Sequence, residues 1–267
     1  MKLGYSAATA GLYDLDEVFR FAHDLGLNFV ELNFDTFDFM PGAQVPGRVL
    51  ELKRATGIDV SLHLPFVDLN IASLMPTLRR ASVMQTLRGL EYALNIGAVA
   101  AVLHTGHVFL YQPVPREHAL DALHESLKAF EVSPVPLALE NLAVFEDGLI
   151  RGPEMLRAIT ARFGFGNCLD FGHAHIEASR PWREGTGEDL ISHYIETLDP
   201  AILHLHLCNN DGQADLHTAT GEGSIRFRDY VDYLSNFEGT MCLEVAGGKP
   251  AVERSVAHIR SLAGVAA

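Results

Sequence analysis

The 267-residue chain has only three cysteines and one tryptophan, and no apolar run approaches the ~20 residues that cross a bilayer. Cys168, Cys208 and Cys242 stand far apart in sequence, which excludes a disulfide framework of the small secreted kind. The first residues, Met1–Gly11, lack the long apolar core of a signal peptide, so a cytoplasmic protein with no membrane partner is expected. Basic residues are scarce: 20 Lys and Arg against 34 Asp and Glu leave a net charge of −14. That balance argues against holding nucleic acid chiefly by phosphate neutralisation, although bound divalent cations would change the local sign. Also missing is a G-x-G-x-x-G turn after the first strand, for which Gly4–Gly11 is a poor substitute.

What the chain does have is apolar residues, 48% of the total, enough to bury a large core. They recur as short runs: Lys2–Tyr5, Phe29–Leu32, Asp59–Leu64, Ala100–His104, Leu137–Glu140, Asn167–Asp170, Ile202–Cys208 and Met241–Val245. Between these runs lie segments with helical spacing and ordinary end signals. Asp14 with Glu17 resembles a capping box, Gly26, Gly57 and Gly97 suit left-handed helix ends, and Pro115 suits the first turn of a helix over Arg116–Phe130. Eight strands alternating with helices predict a parallel sheet. The count and the length together favour an α/β fold of the (β/α)8 TIM-barrel type, as a single domain over residues 1–267, above an open doubly wound sheet.

In such a barrel the chemistry gathers where the strands end. Strands 3 and 4 end with His63 and His104, and strand 5 with Glu140. Strand 6 ends with Asp170, with His173 in the loop beyond it, and strand 8 ends with Glu244. His204 and His206 share one side of strand 7, because strand side chains alternate with period two. Three carboxylates at one mouth would repel one another unless protonated or neutralised, and the imidazoles beside them complete a mixed donor set. Nitrogen and oxygen donors together suit Zn, Mn, Co or Fe better than Ca. Asp215 and His217, two apart in a later loop, would share one face of an extended segment and could join His173 on a cation. Cys168 and Cys242 should lie one layer deeper than the ligands, and His204 is read as an inner-layer residue.

Several segments, in order along the chain, resemble one family. They are Ser61–Phe66, Leu103–His107, Leu139–Asn141, Leu169–His173, His204–Gly212, Asp215–His217 with Gly221–Gly223, and Leu243–Val245. Together they resemble the xylose-isomerase-like TIM-barrel superfamily, which holds sugar (phosphate) isomerases and epimerases beside endonuclease IV-type enzymes. The isomerase branch implies one divalent metal, usually Mn, on Glu140, Asp170, His206 and Glu244. There the two glutamates handle protons and His173 contacts a substrate oxygen. The endonuclease branch implies three metals, on His63, His104 and Glu140; on Glu140, Asp170, His206 and Glu244; and on His173, Asp215 and His217. All nine positions carry the required residue type here. Departures from the endonuclease pattern include Glu31 on strand 2, the lack of an early histidine, and Phe171–Gly172 in the sixth motif.

The expectation is therefore a metal-dependent isomerase or epimerase of a sugar or sugar phosphate, working through a metal-stabilised enediolate. Glu140, Glu244 and His173 would be catalytic, with one to three divalent metals, Mn or Zn foremost. The alternatives are an endonuclease IV-like phosphodiesterase acting on abasic DNA, and a catalytically silent metal- or sugar-binding barrel. Phe34, Phe66, Trp182, Arg183 and Arg226 are candidate substrate contacts, and a homo-oligomer is compatible with the fold.

Overall fold

The computed structural model of the protein describes residues 1–108, 116–142, 148–180 and 189–264. Eight parallel strands close into a barrel in sequence order, with the eighth paired to the first. They are β1 Lys2–Ser6, β2 Phe29–Asn33, β3 Asp59–His63, β4 Ala101–His104, β5 Leu137–Glu140, β6 Gly166–Asp170, β7 Ile202–Leu207 and β8 Thr240–Leu243. The strands read as near-continuous apolar runs because both faces are covered: helices pack outside and side chains fill the interior. The helices are α1 Leu15–Asp24, α2 Pro46–Thr56, α3 Pro76–Asn95, α4 Arg116–Leu127, α5 Pro153–Phe163, α6 Phe171–Glu177, α7 Leu190–Leu198, α8 Val231–Asn236 and α9 Gly248–Leu262. The TIM barrel expected from the alternation is the observed fold.

Local signals explain the boundaries. Asp14 caps α1 by accepting the Glu17 backbone N–H at 2.8 Å, and Gly57 ends α2 in the left-handed conformation at φ 74°. α2, α3 and α5 each begin with proline in the first turn, where no backbone donor is needed. The helix expected over Arg116–Phe130 is α-helical to Leu127 and tightens into a 3-10 turn over Lys128–Phe130. Glu244 and Cys208 fall just beyond the strands predicted to contain them.

The interior is layered. At the floor, a β-carbon on Gly4 would lie 2.7 Å from the Phe29 ring, so glycine lets that ring fold into the barrel against His204, 5.8 Å between centroids. Above it, Val102, Ala138 and Cys168 pack together, and Glu31 on β2 aligns with Ser61 on β3. A register shift opposite Asn167 and Cys168 re-phases β7, so that His204 and His206 align with Cys168 and Asp170. The topmost layer carries the ionisable side chains.

Candidate metal centre

Three strand ends and one residue just beyond a fourth strand bring Glu140, Asp170, His206 and Glu244 to the barrel mouth. His206 Nδ1 lies 3.0 Å from Glu140 Oε1, 3.0 Å from Glu244 Oε2 and 3.8 Å from Asp170 Oδ2. These four are one of several sets whose ligand atoms lie within 4.8 Å of one another; His63, His104 and Glu140 form a second, and His173, Asp215 and His217 a third. The structure thus brings together all nine residues the sequence singled out as donors.

His173 departs from expectation in one respect. It lies not in a loop but in the first turn of α6, because Asp170 caps that helix and its Oδ1 accepts the His173 backbone N–H at 2.6 Å. With Oδ1 so engaged, Asp170 Oδ2 is left buried and without a hydrogen-bond partner. Asn141, next to Glu140, locks β5 to β6. Its Oδ1 accepts the Asp170 N–H at 2.7 Å and its Nδ2 donates to the Asp170 carbonyl at 3.0 Å. The sequence had flagged Asn141 only as part of a motif.

For three of the histidines a backbone carbonyl decides which nitrogen faces the site. A carbonyl can only accept, so Nδ1 is the donor in His63 to Leu64, in His173 to Asn141 and in His217 to Glu244, at 3.0, 2.8 and 2.8 Å. The Nε2 atoms of these rings therefore face the carboxylates. His63 Nε2 is 3.6 Å and His104 Nε2 3.1 Å from Glu140 Oε2, an oxygen that is buried and has no hydrogen-bond partner. Asp215 Oδ2 lies 3.5 Å from His173 Nε2 and 3.0 Å from His217 Nε2. Two buried carboxylate oxygens without hydrogen-bond partners, Glu140 Oε2 and Asp170 Oδ2, amid imidazole nitrogens make the mixed donor set a divalent cation requires, and the residues present fit one.

Burial alone would raise the carboxyl of Glu140, but His206 and His104 hold it well below the usual range. Glu244 behaves alike: burial raises it, and His206 and His217 bring it down to about 2. Asp170 goes the other way, to about 6, through burial reinforced by the Glu140 and Glu244 charges. Burial opposes protonation of His173, yet Asp170, Asp215 and Glu140 push it up to about 10; Asp215 and Glu244 do the same for His217. Burial raises the Cys168, Cys208 and Cys242 thiols, which keeps them neutral.

Over this floor opens a cavity of about 450 Å³. Seven of the nine donors line it, with Pro65, Phe66, Val67, Leu69, Ile71, Leu103 and Leu142 forming apolar walls. Phe66 packs on His104 and His63, 4.4 and 4.9 Å between ring centroids. Asp35 holds it there, accepting the Phe66 and Val67 backbone N–H groups at 2.8 and 3.0 Å. Phe34 lies outside this cavity: its ring packs on Phe37 and Tyr92, because the 3-10 helix Phe34–Phe39 turns it toward α3. Arg226 is also elsewhere, exposed and paired with Asp229 at 2.7 Å. Trp182 and Arg183 lie outside the described residues.

Comparison with known proteins agrees with this fold. The chain is 27% identical over 255 residues to the uncharacterized protein MJ1614 of Methanocaldococcus jannaschii, covering 92% of each. It is 26% identical over 182 residues to a probable endonuclease 4 of Mycobacterium leprae, covering 66% of this chain and 68% of the relative. Among solved structures, a D-tagatose 3-epimerase-like protein superposes with a TM-score of 0.82 at 21% identity, over 99% of this chain and 98% of the other. The sequence model of the xylose isomerase-like TIM barrel family matches residues 19–262, and the chain belongs to that family.

Proposed function

We propose that the protein is a metal-dependent isomerase or epimerase of a small polyhydroxylated carbonyl compound, a sugar or sugar phosphate. The observation that carries this reading is a pair of carboxylates, Glu140 and Glu244, lining one cavity of about 450 Å³ whose described walls contain no Lys or Arg. A cavity of that size fits a single small molecule, and walls without Lys or Arg suit a small substrate better than a polyanionic backbone. A divalent cation on Glu140, Asp170, His206 and Glu244 would polarise the substrate's carbonyl and hydroxyl oxygens as a Lewis acid. Mn and Zn match the mixed oxygen and nitrogen donors.

Glu140 and Glu244 each place a carboxylate oxygen 3.0 Å from His206 Nδ1. As carboxylates at neutral pH they are proton acceptors. One removes the proton from the carbon next to the carbonyl; that carboxyl, or the other across the site, returns a proton to the carbon skeleton. His173, fixed by the Asn141 carbonyl, offers Nε2 to a substrate oxygen. Phe66 closes one side and excludes water.

The test is exchange of substrate-carbon protons with deuterated solvent across a panel of ketoses, aldoses and their phosphates. Exchange in the Mn- or Zn-loaded protein, abolished in Glu140→Gln and Glu244→Gln, supports the reading; no exchange with any member overturns it. A second reading, a multinuclear phosphodiesterase acting on abasic DNA, is favoured by one observation. Glu140 Oε2 sits between His63 and His104 while Oε1 faces His206, as a carboxylate bridging two cations would. That reading requires about three bound metals per chain and incision of an abasic duplex that is lost in His63→Ala.

A further inference from the structure

Beneath the mouth lies a carboxylate the proposed chemistry does not use. Glu31, on β2, is fully buried, and its side chain reaches across the interior to β7, a strand with which β2 shares no backbone pairing. Its Oε2 accepts from the Ser61 hydroxyl at 3.1 Å and lies 3.2 Å from His204 Nε2. Its Oε1 lies 3.2 Å from His206 Nε2 and accepts a weak bond from the Cys242 thiol at 3.7 Å. We infer that Glu31 is a positioning residue for the metal centre: its carboxylate, set beside Nε2, fixes the ring orientation of His206 so that Nδ1 is presented to the cation. This inference rests on the metal reading of the mouth and assigns a new part to a residue outside the donor set.

His206 is held differently from the other histidines of the mouth. The rings of His63, His173 and His217 are fixed through Nδ1 by backbone carbonyls and face the site with Nε2. His206 is reversed: Nδ1 faces Glu140 and Glu244, and no carbonyl bond is recorded for its other nitrogen among the described residues. Glu31 Oε1 lies 3.2 Å from that Nε2. His206 Nδ1 donates to Glu140 Oε1 at 3.0 Å, because a carboxylate can only accept; a cation that takes Nδ1 displaces that proton, and the ring's remaining proton then lies on Nε2, facing Glu31. The 3.2 Å contact falls short of hydrogen-bond alignment, so it acts chiefly through charge, which is effective in a sealed interior. An anionic partner also makes the imidazole a stronger donor to a cation. His204 steadies the opposite oxygen and is itself held by Thr240 Oγ1 at 2.6 Å from its Nδ1.

The experiment is Zn(II) titration of the full chain, uniformly labelled with 15N and followed at the His206 ring nitrogens, in wild type, Glu31→Gln and Glu31→Asp. Circular dichroism monitors folding in each. Expected are an Nε2–H tautomer ligating through Nδ1 in wild type, and a 10- to 100-fold weaker Zn(II) affinity with mixed tautomers in Glu31→Gln. Glu31→Asp, which restores the charge, should recover part of the loss. Wild-type tautomer and affinity in folded Glu31→Gln would overturn the inference. Equal losses in the two variants would also overturn it, because a purely packing role ignores charge. Wild-type protein that takes up no Zn(II) at His206 would overturn the metal reading itself, and that outcome is distinct from the other two.

Discussion

Glu140 directs its two oxygens to different neighbours, Oε1 to His206 and Oε2 to His104 and His63. Glu140→Gln preserves the shape and removes the charge. On the proposed substrate it should lower turnover by about 10²–10⁴-fold while the far-ultraviolet circular dichroism stays that of the wild type. Gly172 is a different case, a residue whose absent side chain is the point. A β-carbon there would come within 2.5 Å of Cys208 Sγ and 3.1 Å of Asp170 Oδ1. Gly172→Ala should therefore destabilise by about 1–3 kcal/mol, read as a lower urea midpoint at unchanged slope. It should also weaken metal binding by displacing Asp170. Both residues stand in motifs visible in the sequence. Phe34 and Phe66 show where such visibility ends: each follows a strand, yet only Phe66 faces the site, because Asp35 pins its backbone while Phe34 turns outward.

Secondary elements carry the site by their ends. Asp170 finishes β6 and caps α6, so one residue sets both a donor and the start of the helix that bears His173. Reading His173 as a loop residue missed this, since a seven-residue helix has too little periodicity to announce itself. Asp189 caps α7 in the same manner, accepting from the Ser192 backbone and hydroxyl and from the Tyr230 hydroxyl. Burial would raise its carboxyl, but these donors hold it below the ordinary value. A group depressed in the folded state contributes stability above its unfolded value, ~3.9, and loses it as pH falls through the folded value. Asp189→Asn should therefore show a smaller drop in melting temperature between pH 5 and pH 3 than the wild type, together with a lower melting temperature at pH 7.

At the scale of the whole molecule, barrel closure brings buried Glu31, Glu140 and Asp170 into one interior, with Glu244 at its rim. A cation that binds there only in the folded protein stabilises it by mass action, about 2.7 kcal/mol at a hundredfold excess over Kd. Thorough chelation should lower the melting temperature by several degrees, and Zn(II) or Mn(II) should restore it in calorimetry; an unchanged transition would count against a bound metal. The alternation of apolar runs with helical segments determined the fold class by itself, because each parallel strand must be buried on both faces and each crossover needs a helix. The motifs also located the nine candidate donors that the barrel mouth gathers, since chemistry on such a barrel collects at strand ends. Tertiary structure alone decided which imidazole nitrogen faces inward, which aromatic lines the cavity, and that Glu31 lies beside His206. Those depend on contacts between residues up to 175 positions apart, set by ring orientation and by register around a closed sheet, which no local pattern encodes.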